Sequence, residues 1–441
     1  MSLLVISPEY ASHYGPLAVL AGEARANGEQ VFVATGPSLR ARVEADGFQW
    51  RPLRLGAGSN NGVEADGPGI QSFIAATRAG PLATIRRQAL NRRRDLLWNP
   101  ERVASEIGDL CAELDPDDVL VDHVSFGSTL AMHATGRPYI TLVPGHPSQL
   151  PVGTERYGIP AHWPSCLTPD PLELDELELL ADKVTDAFTD RWNEALVVVA
   201  PRKRLVDDAF RVHGRTVLYN SVACLHPPAR SALLPSDHHF VGPLVRAEEL
   251  PDALRPWLDR TDDRPYVYVA LGTFLSHRSD VLARIAGALR HVGARAAIAV
   301  GATASAELGP IPDDWIVAPT LPQVAMLRGA DLAIHHGGNN SVQESLVTGI
   351  RQLVVPMSTD QFANAADLER TGAAAVASPN DATCAELAVM IDALLASEPP
   401  SPVAAPDRQL LRGIPRRRVV DSPGSKDRER RFDRSDTQRR S

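Results

Sequence analysis

Residues 319–365 read PTLPQVAMLRGADLAIHHGGNNSVQESLVTGIRQLVVPMSTDQFANA, and this stretch decides the fold. The apolar run 331–335 predicts a buried parallel strand, and residues 336–341 predict a glycine-containing turn. A helix follows and ends at Gly349, a residue type suited to a left-handed C-terminal position. Its apolar face is predicted to contain Val342, Leu346 and Val347. A second strand at 352–356 completes an α/β unit.

The turn from Gly338 to Ser341 is predicted to bind phosphate groups. The first N–H groups of a helix have no partner within the helix, and the helix dipole favours negative charge beside them. A second interpretation exists, because Ser341 and Glu344 fit a capping box that merely satisfies the helix end. The residues of this segment alone leave both interpretations open.

Length and composition argue against several classes of protein. A chain of 441 residues predicts two domains, and its 44% hydrophobic and 22% charged residues are ordinary for a globular protein. The formal net charge of −9 argues against a nucleic-acid partner. Four widely spaced cysteines predict reduced thiols rather than disulfides or zinc ligands. Because we find neither a membrane-length apolar run nor a charged signal-peptide start, we expect a soluble cytoplasmic protein without a membrane span.

Strands and helices alternate along the whole chain, which favours an α/β architecture with two doubly wound, Rossmann-like domains. The expected strands cover residues 3–6, 31–34, 119–121, 139–142, 266–271, 296–300, 316–318, 332–335 and 353–355. The expected helices include 16–27, 38–45, 100–114 and a long helix or helix pair at 169–194. We place the first domain at 1–240 and the second at 241–398. Residues 399–441 are rich in proline and arginine, which predicts a disordered tail.

Many polar and glycine positions of the 319–365 stretch form an ordered set. They are Pro322, Gln323, His336, Gly337, Asn340, Ser341, Glu344, Gly349, Pro356, Asp360, Gln361, Asn364 and Ala365. This set resembles the nucleotide-sugar signature of family 1 glycosyltransferases, the two-domain GT-B enzymes that glycosylate natural products. Within that family, the set resembles in particular the bacterial members that modify macrolides and enediynes. The resemblance implies two domains that face each other across a cleft.

The resemblance implies an inverting, hexosyltransferase-type reaction. A sugar would move from a UDP- or dTDP-sugar to a hydroxyl of a hydrophobic small-molecule acceptor, as in antibiotic biosynthesis. We expect no metal and no cofactor, because no carboxylate pair is spaced as a metal site and a helix terminus replaces the cation. We expect a monomer or a homodimer.

The predicted catalytic pair is His13 and Asp122. His13 follows the first strand and is similar, in its His-x-x-Pro spacing, to the family's catalytic histidine. A neutral imidazole can accept a proton near physiological pH. Asp122 ends a strand and could orient His13, although Asp117 and Asp118 lie nearby in sequence. The alternatives are an exposed loop histidine and a loop-capping aspartate.

The predicted donor site is carried over from the resemblance. His336 and the N–H groups of the 338–341 turn would hold the diphosphate, with help from the opposite loop. Glu344 would bind the ribose, and Gln323 would contact the base or ribose. The carboxylate and amide of Asp360 and Gln361 would bind sugar hydroxyls. The donor-binding set is Gly272, Thr273, Gln323, His336, Gly338, Asn340, Ser341, Glu344, Asp360 and Gln361.

The predicted acceptor loops carry Phe73, Tyr157 and Trp163, which suit a bulky apolar molecule. His335 is expected to point into the core or across the sheet, because side chains alternate along a strand. Two positions depart from the family pattern. Thr320 stands where plant members have tryptophan, and Arg351 stands where proline is usual.

Two other functions remain open from the sequence. The atypical tail favours a nucleotide-sugar-binding protein without turnover, and the fold also supports a nucleotide-sugar epimerase. A dinucleotide-dependent oxidoreductase is disfavoured, because no Gly-x-Gly-x-x-Gly motif follows the first strand.

Overall fold

A computed structural model describes residues 1–56, 68–259 and 263–404. The predicted disordered tail falls almost entirely on residues outside this description. In the described ranges, none of the helices combines the length and apolarity that crossing a membrane requires.

The first half of the chain forms a seven-stranded sheet in which every paired strand is parallel. Its strands are β1 (Ser2–Ile6), β2 (Gln30–Thr35), β3 (Gln49–Pro52), β4 (Asp118–Asp122), β5 (Ile140–Val143), β6 (Thr216–Tyr219) and β7 (His238–Phe240). Their order is β3-β2-β1-β4-β5-β6-β7. The central strands are almost wholly apolar and buried, as expected for a sheet covered by helices on both faces.

The helices of this half are α1 (Ala11–Ala26), α2 (Arg40–Ala45), α3 (Pro68–Ala79), α4 (Pro81–Leu96), α5 (Pro100–Leu114), α6 (Phe126–Thr135), α7 (Pro171–Val199) and α8 (Pro228–Ser231). The predicted helix or helix pair near 169–194 is a single helix, α7. Asp170 starts it by accepting the backbone N–H groups of Leu172 and Glu173, and Pro171 occupies the first turn.

The second half forms a six-stranded parallel sheet in the order β10-β9-β8-β11-β12-β13. Its strands are β8 (Tyr266–Ala270), β9 (Arg295–Ala299), β10 (Ile316–Ala318), β11 (Leu332–His335), β12 (Arg351–Val354) and β13 (Ala375–Val376). Its helices are α9 (Arg255–Leu258), α10 (Gly272–Leu275), α11 (Ser279–Val292), α12 (Gln323–Leu327), α13 (Asn339–Thr348), α14 (Gln361–Arg370) and α15 (Cys384–Ala396). The predicted helix of the 319–365 stretch is α13, and Gly349 ends it with φ +66°. The α/β architecture with two Rossmann-like sheets is confirmed.

Each sheet reverses its winding direction at one point. In the first sheet this point lies between the neighbouring strands β1 and β4, and in the second it lies between β8 and β11. In such sheets, ligands bind in the crevice beyond the carboxyl ends of the strands at the reversal point. The predicted catalytic pair and most predicted donor residues lie at the ends of these four strands, whereas Gln323 follows β10 and Asp360 and Gln361 follow β12.

Helix α3 connects the two halves. Although it comes from the first half of the sequence, its Ile70, Phe73 and Ile74 are buried in the core of the second sheet. The guanidinium of Arg278 donates to the Thr77 hydroxyl at 3.2 Å, and Asn380 donates to the Thr77 carbonyl at 3.0 Å. The packing of α3 therefore fixes one wall of the cleft between the sheets.

Candidate active site

The first reversal point holds an imidazole–carboxylate pair. His13 lies in the first turn of α1, and Asp122 is the last residue of β4. The Nδ1 of His13 lies 2.9 Å from Oδ2 of Asp122, and Oδ1 of Asp122 accepts the Val124 N–H at 3.0 Å. Asp122 is completely buried, whereas 23% of the His13 side chain is exposed. The carboxylate therefore fixes the orientation of the His13 ring through Nδ1, and Nε2 is the ring nitrogen that remains to gain or lose a proton.

The surroundings of His13 raise its pKa above the ordinary 6.5. Burial alone would lower this pKa, but the charge of Asp122 and its hydrogen bond favour the imidazolium, and the charge of Asp360 adds to them. The alternative of a merely exposed loop histidine is wrong, because the ring is held by a buried carboxylate at a helix start. Asp117 instead accepts the Ser2 N–H at 2.7 Å, and Asp118 pairs with Arg215.

The second reversal point presents the N-terminus of α13. Gly338 is its N-cap residue, and no side chain caps this end among the described residues. The capping-box interpretation is wrong here, because the Ser341 hydroxyl accepts a hydrogen bond from Gln323 at 3.0 Å instead. A true capping box forms elsewhere, between Thr383 and Glu386 at the start of α15. The first-turn N–H groups of α13 thus have no side-chain acceptor within the helix.

The ring of His336 packs between Gly338 and Gly272, and a side chain at either position would clash with it. A Cβ atom on Gly338 would lie 2.4 Å from Nε2 of His336, and one on Gly272 would lie 2.9 Å from Cε1. Gly272 also has φ +75°, a conformation that favours glycine. Burial and the neighbouring His335 lower the pKa of His336 to about 3, so its ring is neutral. Its Nδ1 is buried without a hydrogen-bond partner in the described part of the chain.

Gln323 and Glu344 lie directly behind Ser341. The amide of Gln323 donates to both the Ser341 hydroxyl and the Glu344 carboxylate. Burial raises the pKa of Glu344 to about 7, the hydrogen bond from Gln323 opposes this rise, and the charge of Glu248 adds to it. This carboxyl group can therefore exchange a proton near neutral pH.

The loop before α14 places Asp360 and Gln361 on the cleft wall. Gln361 is largely committed to folding this loop, since its Oε1 accepts the N–H groups of Met357 and Ser358 at 3.0 Å. Asp360 accepts the backbone N–H of His146 at 2.9 Å across the cleft. A carboxylate oxygen has a second lone pair, so Asp360 retains acceptor capacity for a hydroxyl group.

One cavity of about 590 Å³ joins the two reversal points. The predicted site residues that line it are His13, Gly272, His336, Gly338, Asn340, Ser341, Asp360 and Gln361. Two adjacent asparagines span the cleft. Asn340 donates to the Ser12 carbonyl at 2.8 Å, and Asn339 donates to the carbonyls of Pro144 and Asn220 at 2.7 and 2.8 Å. The sequence does not predict the role of Asn339, because its partners lie far away along the chain.

Other predicted positions fall in different places. Phe73 and Tyr157 line the cavity, but Trp163 does not and instead packs on Phe362 at 5.5 Å between ring centroids. His335 is buried and bonds to Gln352 at 3.0 Å, as its core prediction requires. The Thr273 side chain lies outside the described residues.

A separate cluster joins the halves outside the predicted site. His146 and His226 both lie against Oδ2 of Asp367, at 3.1 and 2.7 Å, and all three side chains are buried. Their atoms lie close enough to hold a metal ion. The outer nitrogens bond to Ser148 and Ser221, both at 2.8 Å. Two imidazole N–H groups shared by one carboxylate oxygen therefore satisfy this cluster without further ligands.

Comparison with known proteins identifies the family. The profile of the family described as UDP-glucoronosyl and UDP-glucosyl transferase matches residues 176–399, just over half of the chain. The chain belongs to this family. The resemblance seen in the 319–365 stretch is thereby confirmed, while His13 and Asp122 lie before the matched region.

Several curated members of the UDP-glycosyltransferase family are similar to the chain. The uncharacterized UDP-glucosyltransferase YojK of Bacillus subtilis (strain 168) is 30% identical over 138 residues, which are 31% of this chain and 34% of YojK. The oleandomycin glycosyltransferase of Streptomyces antibioticus is 42% identical over 78 residues, 18% of each chain. The alignment thus spans about a third of YojK and less of the oleandomycin enzyme.

Solved structures share the fold over nearly the whole chain. The glycotransferase of kitacinnamycin superimposes with a TM-score of 0.65 at 19% identity and covers 90% of this chain and 91% of its own. The glycosyltransferase VinC in complex with dTDP gives a TM-score of 0.62 at 19% identity, with coverage of 90% and 91%. These likenesses confirm the GT-B arrangement of the two sheets.

Proposed function

We propose that the protein is an inverting glycosyltransferase that moves a sugar from a UDP- or dTDP-sugar to an acceptor hydroxyl. One observation carries this proposal. The His13–Asp122 pair and the uncapped N-terminus of α13 face the same cavity from opposite sheets. A proton acceptor and an anion site on two sides of one cleft are what transfer from a nucleoside diphosphate requires.

The proposed reaction begins at His13. Its Nε2 takes the proton of the acceptor hydroxyl, while Asp122 holds the ring through Nδ1 and stabilises the imidazolium that forms. The hydroxyl oxygen then forms a bond to the anomeric carbon of the donor, and the bond from that carbon to the diphosphate oxygen breaks. Attack from the side opposite the diphosphate inverts the anomeric centre.

The second sheet would stabilise the departing diphosphate. The first-turn N–H groups of α13 supply donors and the positive end of a helix dipole. His336, which is neutral, would contribute a hydrogen bond rather than a positive charge. We propose that these groups act without a metal ion, since donors and dipole are already aimed at the developing charge.

The other groups near the α13 N-terminus would bind the rest of the sugar donor. Glu344 and Gln323, behind Ser341, would bind the ribose hydroxyls and the base. Asp360 would accept a hydroxyl of the transferred sugar. Glycosyltransferases for oleandomycin and spinosyn are among the relatives and structural neighbours, which favours a natural-product acceptor.

The proposal is tested by separating nucleotide binding from sugar transfer. We expect UDP or dTDP to raise the melting temperature of both wild type and His13→Ala, because His13 lies on the opposite sheet. Transfer to a panel of hydroxylated aromatic and macrolide acceptors should fall about 10²–10⁴-fold in His13→Ala. His291→Ala, an exposed position on α11, is the matched control and should keep full activity.

The other functions give different outcomes. Wild-type transfer rates in His13→Ala would overturn the assignment of the base. Isomerised sugar nucleotide formed without an acceptor would instead support an epimerase. Nucleotide binding with no transfer to any acceptor would support a binding protein.

A further inference from the structure

The acceptor side of the cleft contains a buried cation that the proposed reaction does not use. Helix α4 lies along this wall, and Gln88, Arg92 and Leu96 line the cavity from one face of the helix. Arg92 is only 6% exposed. Arginine is rarely buried to this degree without a paired anion, because desolvating its charge is costly.

The contacts of Arg92 include a carbonyl and two aromatic rings but no anion of the described residues. Its Nη1 donates to the Tyr157 carbonyl at 2.9 Å, and the guanidinium lies 4.7 Å from the centroid of the Tyr157 ring and 5.8 Å from that of Phe210. Within the described residues it forms no ion pair and no other hydrogen bond. Burial accordingly lowers the pKa of Arg92, and the arginine remains protonated at neutral pH.

The other charged groups of this wall do not supply the missing anion. Arg87, which also lines the cavity, donates to the Ser72 hydroxyl and the Gly69 carbonyl at 3.0 and 2.8 Å. Asp95, the acidic residue of α4, also lines the cavity, and it pairs with Arg94 at 3.0 Å rather than with Arg92. The acceptor wall therefore carries excess positive charge.

We propose that the acceptor carries a carboxylate, and that Arg92 binds it inside the cleft. This inference rests on the proposed transfer reaction. An acceptor that fills the cavity removes the remaining water from Arg92, so a neutral acceptor would leave a desolvated cation without an anionic partner. A carboxylate meets the guanidinium with charge-assisted hydrogen bonds, and its apolar body can pack on Phe73, Tyr157 and Ile159. Arg92 is thus a specificity-determining residue.

Matched acid and ester pairs test this inference. The probes are hydroxynaphthoic acid and hydroxycinnamic acid, each compared with its methyl ester, in calorimetric titrations with UDP or dTDP present. We expect wild type to bind at least one acid about tenfold or more tightly than its ester, the size expected for a hydrogen bond to a charged group. Arg92→Met should remove this preference, and Arg92→Lys should keep part of it.

Two controls keep the result interpretable. Arg86→Met removes a half-exposed arginine of the same helix that pairs with Glu176, and it should leave the preference unchanged. The melting temperature of Arg92→Met should equal or exceed that of wild type, because the variant removes a buried charge that has no anionic partner among the described residues. If that variant does not fold, wild type and Arg92→Lys alone decide the question.

Three outcomes would overturn the inference. They are equal binding of acids and esters by wild type, an acid preference that survives in Arg92→Met, and no binding of any probe by a protein that binds nucleotide. Absence of nucleotide binding itself would instead contradict the proposed glycosyl transfer, so the two failures are distinguishable.

Discussion

The two reversal points share one topology, but they shift the pKa of their histidines in opposite directions. At the first, His13 contacts the buried carboxylate of Asp122, and its pKa is raised. At the second, His336 is enclosed between Gly272 and Gly338, no carboxylate of the described ranges bonds to it, and its pKa falls to about 3. Groups whose surroundings push their pKa values apart are suited to different roles. This difference supports the proposed division, in which the first sheet transfers the proton and neutral donors of the second bind the anion.

Removing the carboxylate from the first reversal point should have the largest effect. In Asp122→Asn the amide can donate to Nδ1, which favours the tautomer that leaves a proton on Nε2 and blocks its use as a base. We expect kcat/KM for sugar transfer to fall about 10²–10⁴-fold with little change in nucleotide affinity. Steady-state kinetics and nucleotide titration measure the two quantities. A loss confined to nucleotide affinity would contradict the division between the sheets.

A larger side chain at the second reversal point should have a smaller effect, and this effect should be on nucleotide affinity rather than on the rate of transfer. In Gly338→Ala the new methyl group would meet Nε2 of His336 and displace the ring from the α13 N-terminus. Losing one or two charge-assisted hydrogen bonds predicts about a tenfold to hundredfold weaker affinity for UDP or dTDP. Gly22→Ala in α1, where an added Cβ meets nothing within 4 Å, is the matched control. Unchanged nucleotide affinity in Gly338→Ala would remove the anion site from the proposal.

The pH dependence of transfer tests whether His13, with its raised pKa, is the histidine that accepts the proton. Because His13 must be neutral to accept a proton, kcat/KM should fall about tenfold per pH unit below a pKa that lies above 6.5. In the residual transfer by Asp122→Asn, which needs the minor tautomer with a free Nε2, this acid limb should move to lower pH, since the two main causes of the rise are removed while burial remains. An acid limb at the same pH in both proteins would show that another group titrates.

The same pair makes a pH-dependent contribution to stability. A histidine whose pKa is raised on folding stabilises the protein fully below its unfolded pKa, near 6.5, and this contribution is lost as pH rises through the folded pKa. Wild type should therefore gain more stability than Asp122→Asn when the pH is lowered from about 8 to about 6.

The sequence predicts the second sheet and its site better than the first. The strand, turn and helix around Gly338 are local, and their residue pattern is enough to locate the α13 N-terminus. The strands β3, β6 and β7 of the first sheet, the two-residue β13 of the second and the helix α4 are not predicted, because short runs such as Thr216–Tyr219 carry little periodic signal. The sequence therefore misses Arg92 together with its helix. The significance of Arg92 depends on its burial and on the lack of an anion beside it in the described part of the chain, which no sequence pattern reports.

The start of α1 departs from the usual position of proline in a helix, and a hydrogen bond from the second half of the chain accompanies this departure. The sequence predicts this helix from Pro16, but the helix begins at Ala11 and carries Pro16 inside it, where proline is usually unfavourable. Pro16 has no N–H, so the carbonyl of Ser12, four residues earlier, lacks its helical donor. Asn340 supplies that donor from the second sheet at 2.8 Å. His13 therefore sits next to a backbone group that the opposite sheet holds in place.

Pro16→Ala tests this link and should have the smallest effect. The substituted alanine would return an N–H to the Ser12 carbonyl, which competes with Asn340 and weakens one bond between the sheets. We expect a higher melting temperature, because alanine is the better helix former, together with a few-fold lower kcat/KM from looser alignment of His13. Asn340→Ala should lower kcat/KM too, and in the double variant the two losses should not add, because both act on one hydrogen bond. Fully additive losses would separate Pro16 from Asn340 and leave His13 positioned by Asp122 alone.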